Sequence, residues 1–208
     1  MKIAVIGAGN VGRSLSNLFI AGSHDVSVGL RDGGSLPEGF DENVKGASAK
    51  DAIAGAEVVV LAIPYTACET VLPELADVLS GKIVVDATNP LNDDWSPLVL
   101  GDETSAGEEN AKRLPKSHVV KAFNTVFADI MKSDDLKHHG ESVTAFIAGG
   151  NEEARSKVAA LANSAGFAAL VVGGITNARY VEAVAHLNIQ IAVGMEGGTN
   201  AGIVYFRR

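Results

Sequence analysis

The chain has 208 residues, a formal net charge of −8, 47% hydrophobic residues and only 5% aromatic ones. That length admits one sizeable core with at most a small appendage, and an acidic balance without a basic stretch argues against nucleic acid as a partner. The single cysteine, Cys68, excludes an internal disulfide and suits a reducing compartment.

The N-terminus, MKIAVIGAGN, enters a strand at once with no apolar leader, and no apolar run reaches the roughly 20 residues that cross a bilayer. A soluble, cytoplasmic protein with no membrane association is expected. KIAVIG predicts a strand. NVGRSLSNLFIAG predicts a helix, with Val11, Leu15, Leu18 and Phe19 at helical spacing and Gly22 closing it. DVSVGL is a second strand, and residues 33–46, rich in Gly and acid, read as a loop. SAKDAIAGA is a short helix with Ser48 as its N-cap.

EVVVLAI reads as a buried strand, and TACETVLPELADVLSG as a helix that tolerates Pro73. KIVVDAT is the fourth strand, TSAGEENAKRL a helix and HVVKAFN the fifth strand. SVTAFIAGG, NEEARSKVAALANSAG and FAALVVGG continue the pattern as strand, capped helix and strand. The stretch TNARYVEAVAHLNIQIAVGM closes as an amphipathic helix with Tyr180, Val184, Leu187 and Ile191 as its apolar residues. This alternation predicts a doubly wound, Rossmann-type parallel α/β sheet. One nucleotide-binding domain is expected over 1–208, with a core at 1–125 and a short β/α extension at 126–208.

Residues 7–12, GAGNVG, set Gly7, Gly9 and Gly12 in the G-x-G-x-x-G pattern, with Ala8, Asn10 and Val11 between them. The first glycine permits the tight turn, the second lets the backbone approach a diphosphate, and the third lets the helix pack closely on the strand. Between an apolar strand and an amphipathic helix this spacing points to a dinucleotide. NAD proteins end the second strand on an acid that bonds the ribose 2′-hydroxyl, but here Leu30 is followed by Arg31. A guanidinium fork suits a 2′-phosphate, which selects NADP(H). The alternative is a solvated Arg31 with Asp32 as a displaced ribose acceptor.

Ligands in open α/β sheets lie beyond the carboxyl ends of the strands. Three loops leave such ends: IPYTA with Ile63, Pro64 and Tyr65, DATNPLND with Thr88, Asn89 and Pro90, and AFNTV with Asn124 and Thr125. Their amide, hydroxyl and backbone groups suit a nicotinamide carboxamide. No catalytic side chain is assigned, because none of the tyrosines has a lysine four residues on. His138 and His139 read as exposed and no metal site is expected. Cys68 reads as a buried bystander, and His186, seven residues after Arg179, as a satisfied histidine at the edge of the core. Trp95 sits in an exposed loop, or stacks on a ring.

KIAVIGAGNVGRSL, VGLRD, VVVLAIPY, IVVDATNPL, TSAGEENAKRLP, VVKAFNTV and the closing GGITNARYVEAVAHLNIQIAV…GIVYFRR together resemble the coenzyme F420-dependent NADP oxidoreductase family, bacterial members above all. The likeness runs nearly end to end, and the cytosolic domain of the STEAP metalloreductases is similar too. The resemblance implies hydride transfer between NADP(H) and a deazaflavin (coenzyme F420) or flavin-like acceptor, with no obligatory acid–base side chain. Gly7, Gly9, Asn10 and Val11 would hold the diphosphate, Arg31 the 2′-phosphate, and Pro64, Asn89 and Asn124 the nicotinamide side. It also implies a homodimer, with the terminal helix as candidate interface and a final strand at GIVYFRR. A non-catalytic NADP(H) sensor and a metalloreductase-like domain with a separate membrane partner are the alternatives.

Overall fold

The structure is a computed structural model that describes residues 1–31, 33–98, 100, 103–132 and 134–207. The chain begins with β1 (Lys2–Ile6), α1 (Asn10–Ala21), β2 (Asp25–Leu30) and β3 (Lys45–Ser48). Next come α2 (Ala49–Ala54), β4 (Val58–Leu61), α3 (Tyr65–Leu79), β5 (Ile83–Asp86), α4 (Ala106–Arg113) and β6 (His118–Lys121). A small hairpin of β7 (Lys137–His138) and β8 (Glu141–Ser142) precedes β9 (Thr144–Gly149), α5 (Glu152–Ser164), β10 (Ala168–Gly173) and α6 (Ala178–Ile189).

Among the described residues eight strands form one sheet in the order β10-β9-β6-β5-β4-β1-β2-β3. From β3 to β6 every neighbouring pair is parallel. The chain order of these strands reverses between β1 and β4, the switch point at which doubly wound sheets bind ligands. β9 joins β6 antiparallel and pairs in parallel with β10.

The central strand β4 is apolar and buried at every position because both faces are covered. Period-two geometry divides each strand between two cores. Ile3, Val5, Val58, Val60, Ile83 and Val85 face Leu15, Phe19 and Leu161. Ala4, Ile6, Val59, Leu61 and Val84 face Ile53, Leu72, Leu79 and Leu114 on the other side. Caps fix the helix starts: the Ser48 hydroxyl accepts the Asp51 amide at 3.2 Å and the Asn151 amide oxygen accepts that of Ala154 at 2.8 Å.

Three local expectations are corrected. The loop read over 33–46 ends early, since Lys45–Ser48 is a strand pairing with β2; its four residues are too few to show a period. The residues read as the apolar face of the terminal helix are mostly outside: Tyr180 is 72% exposed, Leu187 61% and Ile191 45%, while Ala178, Val181, Glu182, Ala185, Asn188 and Ile189 are buried. Ala178 and Ala185 let the helix sit close to the strand ends and Glu182 and Asn188 find polar partners there, so hydropathy alone did not mark the inner face. Helix α6 then passes into a π turn over 190–194. The expected strand at GIVYFRR is irregular chain over residues 202–207, held at two points by the Thr144 amide donating to Ile203 O at 2.8 Å and the Tyr205 amide donating to Thr144 Oγ1 at 2.8 Å.

Candidate functional site

The glycine turn joins β1 to α1, and each glycine answers a different constraint. Gly7 has φ +114°, and a Cβ there would strike the Ala62 carbonyl, 2.9 Å from its carbon. A Cβ on Gly12 would collide with the Gly7 carbonyl, 3.0 Å from its carbon, so this residue lets α1 lie against the turn. A Cβ on Gly9 would meet nothing within 4 Å. Gly9 is the N-cap of α1, where no side chain among the described residues caps the first amides and no acid lies in the first turn. Free amides and a positive dipole end are the ordinary means of holding a phosphate.

A cavity of about 390 Å³ opens beside this turn. Of the residues singled out in the sequence, Gly9, Asn10, Val11, Ile63, Pro64, Thr88, Asn89, Trp95, Asn124 and Thr125 line it. Gly7, Ala8 and Gly12 shape the turn itself. Pro90 is buried behind the wall, where its carbonyl accepts the Leu98 amide at 2.9 Å. Tyr65 is buried on α3 with its hydroxyl 3.5 Å from Arg113 Nη1, so it does not line the cavity. Arg31 stands exposed one residue past β2, also outside the cavity, and Asp32 lies outside the described residues. The far wall, from Phe127, Ala128, Asp129, Ala185, Asn188, Ile189 and Thr199, escaped the sequence reading. Only Phe127–Asp129 follow directly on a flagged loop; the others come from the end of the chain and carry no local signal.

At the strand ends Asn89 and Asn124 brace one another. Asn89 Nδ2 donates to Asn124 O at 2.7 Å, and Asn124 Nδ2 donates to Asn89 Oδ1 at 2.9 Å. Asn188 Nδ2 on α6 donates to Thr125 O at 3.1 Å. Three buried atoms of these cavity-lining residues, Thr88 Oγ1, Asn124 Oδ1 and Thr125 Oγ1, have no hydrogen-bond partner among the described residues. A buried polar atom left unmatched costs about 1–3 kcal/mol, and three at one wall fit a ligand that supplies both a donor and an acceptor.

Behind this wall lies a cluster of buried charges that sequence reasoning missed. Lys121, at the end of β6, is fully buried, with its ammonium 2.9 Å from Glu182 Oε1 and 3.2 Å from Asp86 Oδ2, and it donates to Thr88 O at 2.7 Å. Burial alone would pull its pKa down, but the two carboxylates outweigh this and hold it above the ordinary lysine value. Asp86 also accepts from the Thr88 amide and Asn110 Nδ2, and Glu182 from the Ala106 and Gly107 amides. The cluster thus ties α6 and α4 to the loop that carries Asn89.

Other sequence candidates fall away from the cavity. Burial, then the charge of Asp86, pushes the Cys68 thiol up to about 12, which makes it a poor nucleophile. Arg179 forks onto Glu108 at 2.7 and 2.8 Å. His186 is only half the satisfied histidine expected: a backbone hydrogen bond ties it to Pro90, but its Nε2 is buried without a partner among the described residues, and burial holds its pKa below the usual histidine range. His138 and His139 are exposed on the β7–β8 hairpin. Among the described residues, no cluster of three or more His, Cys, Asp or Glu side chains is placed to hold a metal ion, and no helix is long and apolar enough to cross a membrane.

Sheet order, glycine turn and cavity define a dinucleotide-binding protein of the doubly wound class. A family model described as NADP oxidoreductase, coenzyme F420-dependent, matches residues 2–90. The F420-dependent NADP reductase of Methanothermobacter thermautotrophicus is 32% identical over 223 residues, covering 98% of this chain and 94% of that protein. A solved structure from Arthrobacter sp. fb24, described as a candidate F420-dependent NADP reductase, superposes with a TM-score of 0.84 at 32% identity, covering 100% of both chains. The metalloreductase STEAP3 of Rattus norvegicus is 30% identical over 183 residues, which is 88% of this chain but only 36% of STEAP3. The chain belongs to the F420-dependent NADP reductase family and is an oxidoreductase.

Proposed function

We propose that the protein transfers hydride between the nicotinamide of NADP(H) and a flat acceptor, a deazaflavin of the F420 type or a flavin. The observation that carries this is the cavity itself, which begins at the open side of Gly9 and runs past three unpartnered polar atoms at two strand ends. The amides at the start of α1 hold the diphosphate. Asn124 Oδ1 accepts from the nicotinamide amide, and the Thr88 and Thr125 hydroxyls donate to its carbonyl. Nicotinamide and deazaflavin carry the chemistry when bound, so the protein supplies orientation and shields the transfer from water. The names carried by the Methanothermobacter and Arthrobacter relatives support the same pair of cosubstrates.

The reading is tested by mixing the protein with NADPH and F420, and separately with flavin mononucleotide, and following the absorbance of the acceptor. Tight NADPH binding without turnover of either acceptor would favour a sensor instead. Arg31 is assigned to the 2′-phosphate. Arg31→Ala is expected to weaken NADPH binding about tenfold or more, the effect of a lost charged hydrogen bond, and to leave NADH binding unchanged. Equal losses by calorimetry for both dinucleotides would remove Arg31 from that role.

The same reading takes residues 1–208 as one domain, because β9 and β10 continue the sheet of the core. It places the protein in the cytoplasm, which suits a lone buried thiol. It makes the protein a homodimer through the exposed row of Tyr180, Leu187, Ile191 and Met195. Leu187→Glu combined with Ile191→Glu is expected to sediment as a monomer; a dimer of unchanged affinity would move the interface elsewhere.

A further inference from the structure

We propose that Trp95 is the stacking platform for the acceptor ring, and so a positioning and specificity residue of this site. The inference rests on the reading above that the acceptor is flat. Trp95 is the chain's one tryptophan, and it lines the cavity at the mouth with 49% of its surface exposed. An indole gains more from burial than any other side chain, so a half-bare one on a cavity rim is a face without a partner. Phe123, by contrast, reaches the same cavity from the core side with 1% exposed, its ring packed against Phe19 and Phe167. The inner wall is thereby closed, and the open aromatic face lies outside, where a second ring would enter over the nicotinamide.

The loop that carries Trp95 is built to hold it there. Leu91 bridges Pro97 across the loop base, and the Asn92 amide donates to Ser96 O at 2.9 Å. Asn92 Nδ2 donates to Ser96 Oγ at 3.0 Å and to Pro97 O at 3.2 Å, while Asp94 Oδ1 accepts the Ser96 amide at 3.0 Å. Trp95 itself has φ +68°, a left-handed conformation that a bulky residue keeps only where its surroundings impose it. Its amide donates to Asn92 O at 3.0 Å. A tryptophan whose only role was to fill space would not need a backbone set in this way.

The test compares Trp95→Ala, Trp95→Leu and Trp95→Phe with F420 and flavin mononucleotide as acceptors. Trp95→Ala is expected to raise the acceptor KM about three- to tenfold, the range of an aromatic pair, with kcat within about twofold and the KM for NADPH unchanged. Phenylalanine restores most of the loss, and leucine, apolar but not aromatic, does not. Because the chain has one tryptophan, its fluorescence reports on this residue alone. Adding F420 to the protein saturated with NADP+ is expected to shield it from acrylamide quenching. Normal acceptor KM in all three variants, with no shielding, overturns the inference and leaves the hydride-transfer reading standing if the native protein turns over. Shielding without turnover keeps the platform and overturns that reading; neither shielding nor turnover overturns both. A rise in both KM values together with loss of the dimer on sedimentation also overturns it, since Trp95 would then be an interface residue.

Discussion

Alanine at Gly12 is expected to lower the melting temperature by about 4–10 °C, whereas alanine at Gly9 leaves it within about 2 °C and still weakens NADPH binding tenfold or more. The two residues belong to one motif, yet the spaces around them differ in kind. A methyl on Gly12 points at the carbonyl of Gly7, which is backbone and cannot swing aside, and lies 3.4 Å from Ala62 Cβ. Relief requires α1 to lift from the turn, pulling Leu15 and Phe19 out of register with the core. Alanine's better helix propensity returns only about 1 kcal/mol of that loss. A methyl on Gly9 meets no protein atom within 4 Å, so the apo fold has no means of sensing it. It fills the space through which a diphosphate must approach the amides of α1. Thermal melts with and without NADPH separate the two effects: the Gly12 variant melts low in both, while the Gly9 variant melts normally and loses the shift given by ligand. A Gly9 variant with native NADPH affinity would show that the diphosphate does not lie over this turn.

The contrast marks how far the sequence could be read. Strand β2 was legible to the residue at Asp25–Leu30, since alternation and flanking polar residues bound it on both sides. Three loops bearing Pro64, Asn89 and Asn124 could be placed at strand ends because each follows an apolar run directly. What escaped depends on partners distant in sequence. Asp86 and Lys121 close strands written VVD and VVK, and a charge at a strand end reads as the start of solvent. Their burial draws on each other, on Asn110 of α4 and on Glu182, which lies on a helix near the end of the chain. The same helix misled on its outer face: hydropathy marked Tyr180 and Leu187, while Ala185 lets the helix sit close to the cavity wall and Asn188 finds a polar partner there.

Lys121→Met is expected to destabilise the protein by about 3–5 kcal/mol, a large share of the 5–15 kcal/mol that holds a typical domain together. Methionine nearly matches the volume removed, so the loss is one of charge rather than of packing. Lys121, Asp86 and Glu182 carry one positive and two negative charges, all with side chains at most 5% exposed. The excess negative charge is met by the first amides of α4, two of which donate to Glu182 at 2.9 Å. Without the ammonium, two carboxylates share a dry site and the Thr88 carbonyl loses its donor. The loop bearing Asn89 then loosens, so NADPH affinity falls along with stability. Glu182→Gln should cost less, since it leaves Lys121 and Asp86 balanced one against one and sacrifices mainly one bond to an α4 amide. Because the folded pKa of Lys121 is raised, its contribution is complete below the unfolded value of about 10.4 and is lost only as pH climbs through the folded one. Denaturant titrations at neutral pH should therefore rank Lys121→Met below Glu182→Gln. The reverse order, or a methionine variant as stable as the native protein, would mean that the ammonium is not what allows the two acids to be buried beneath the cavity.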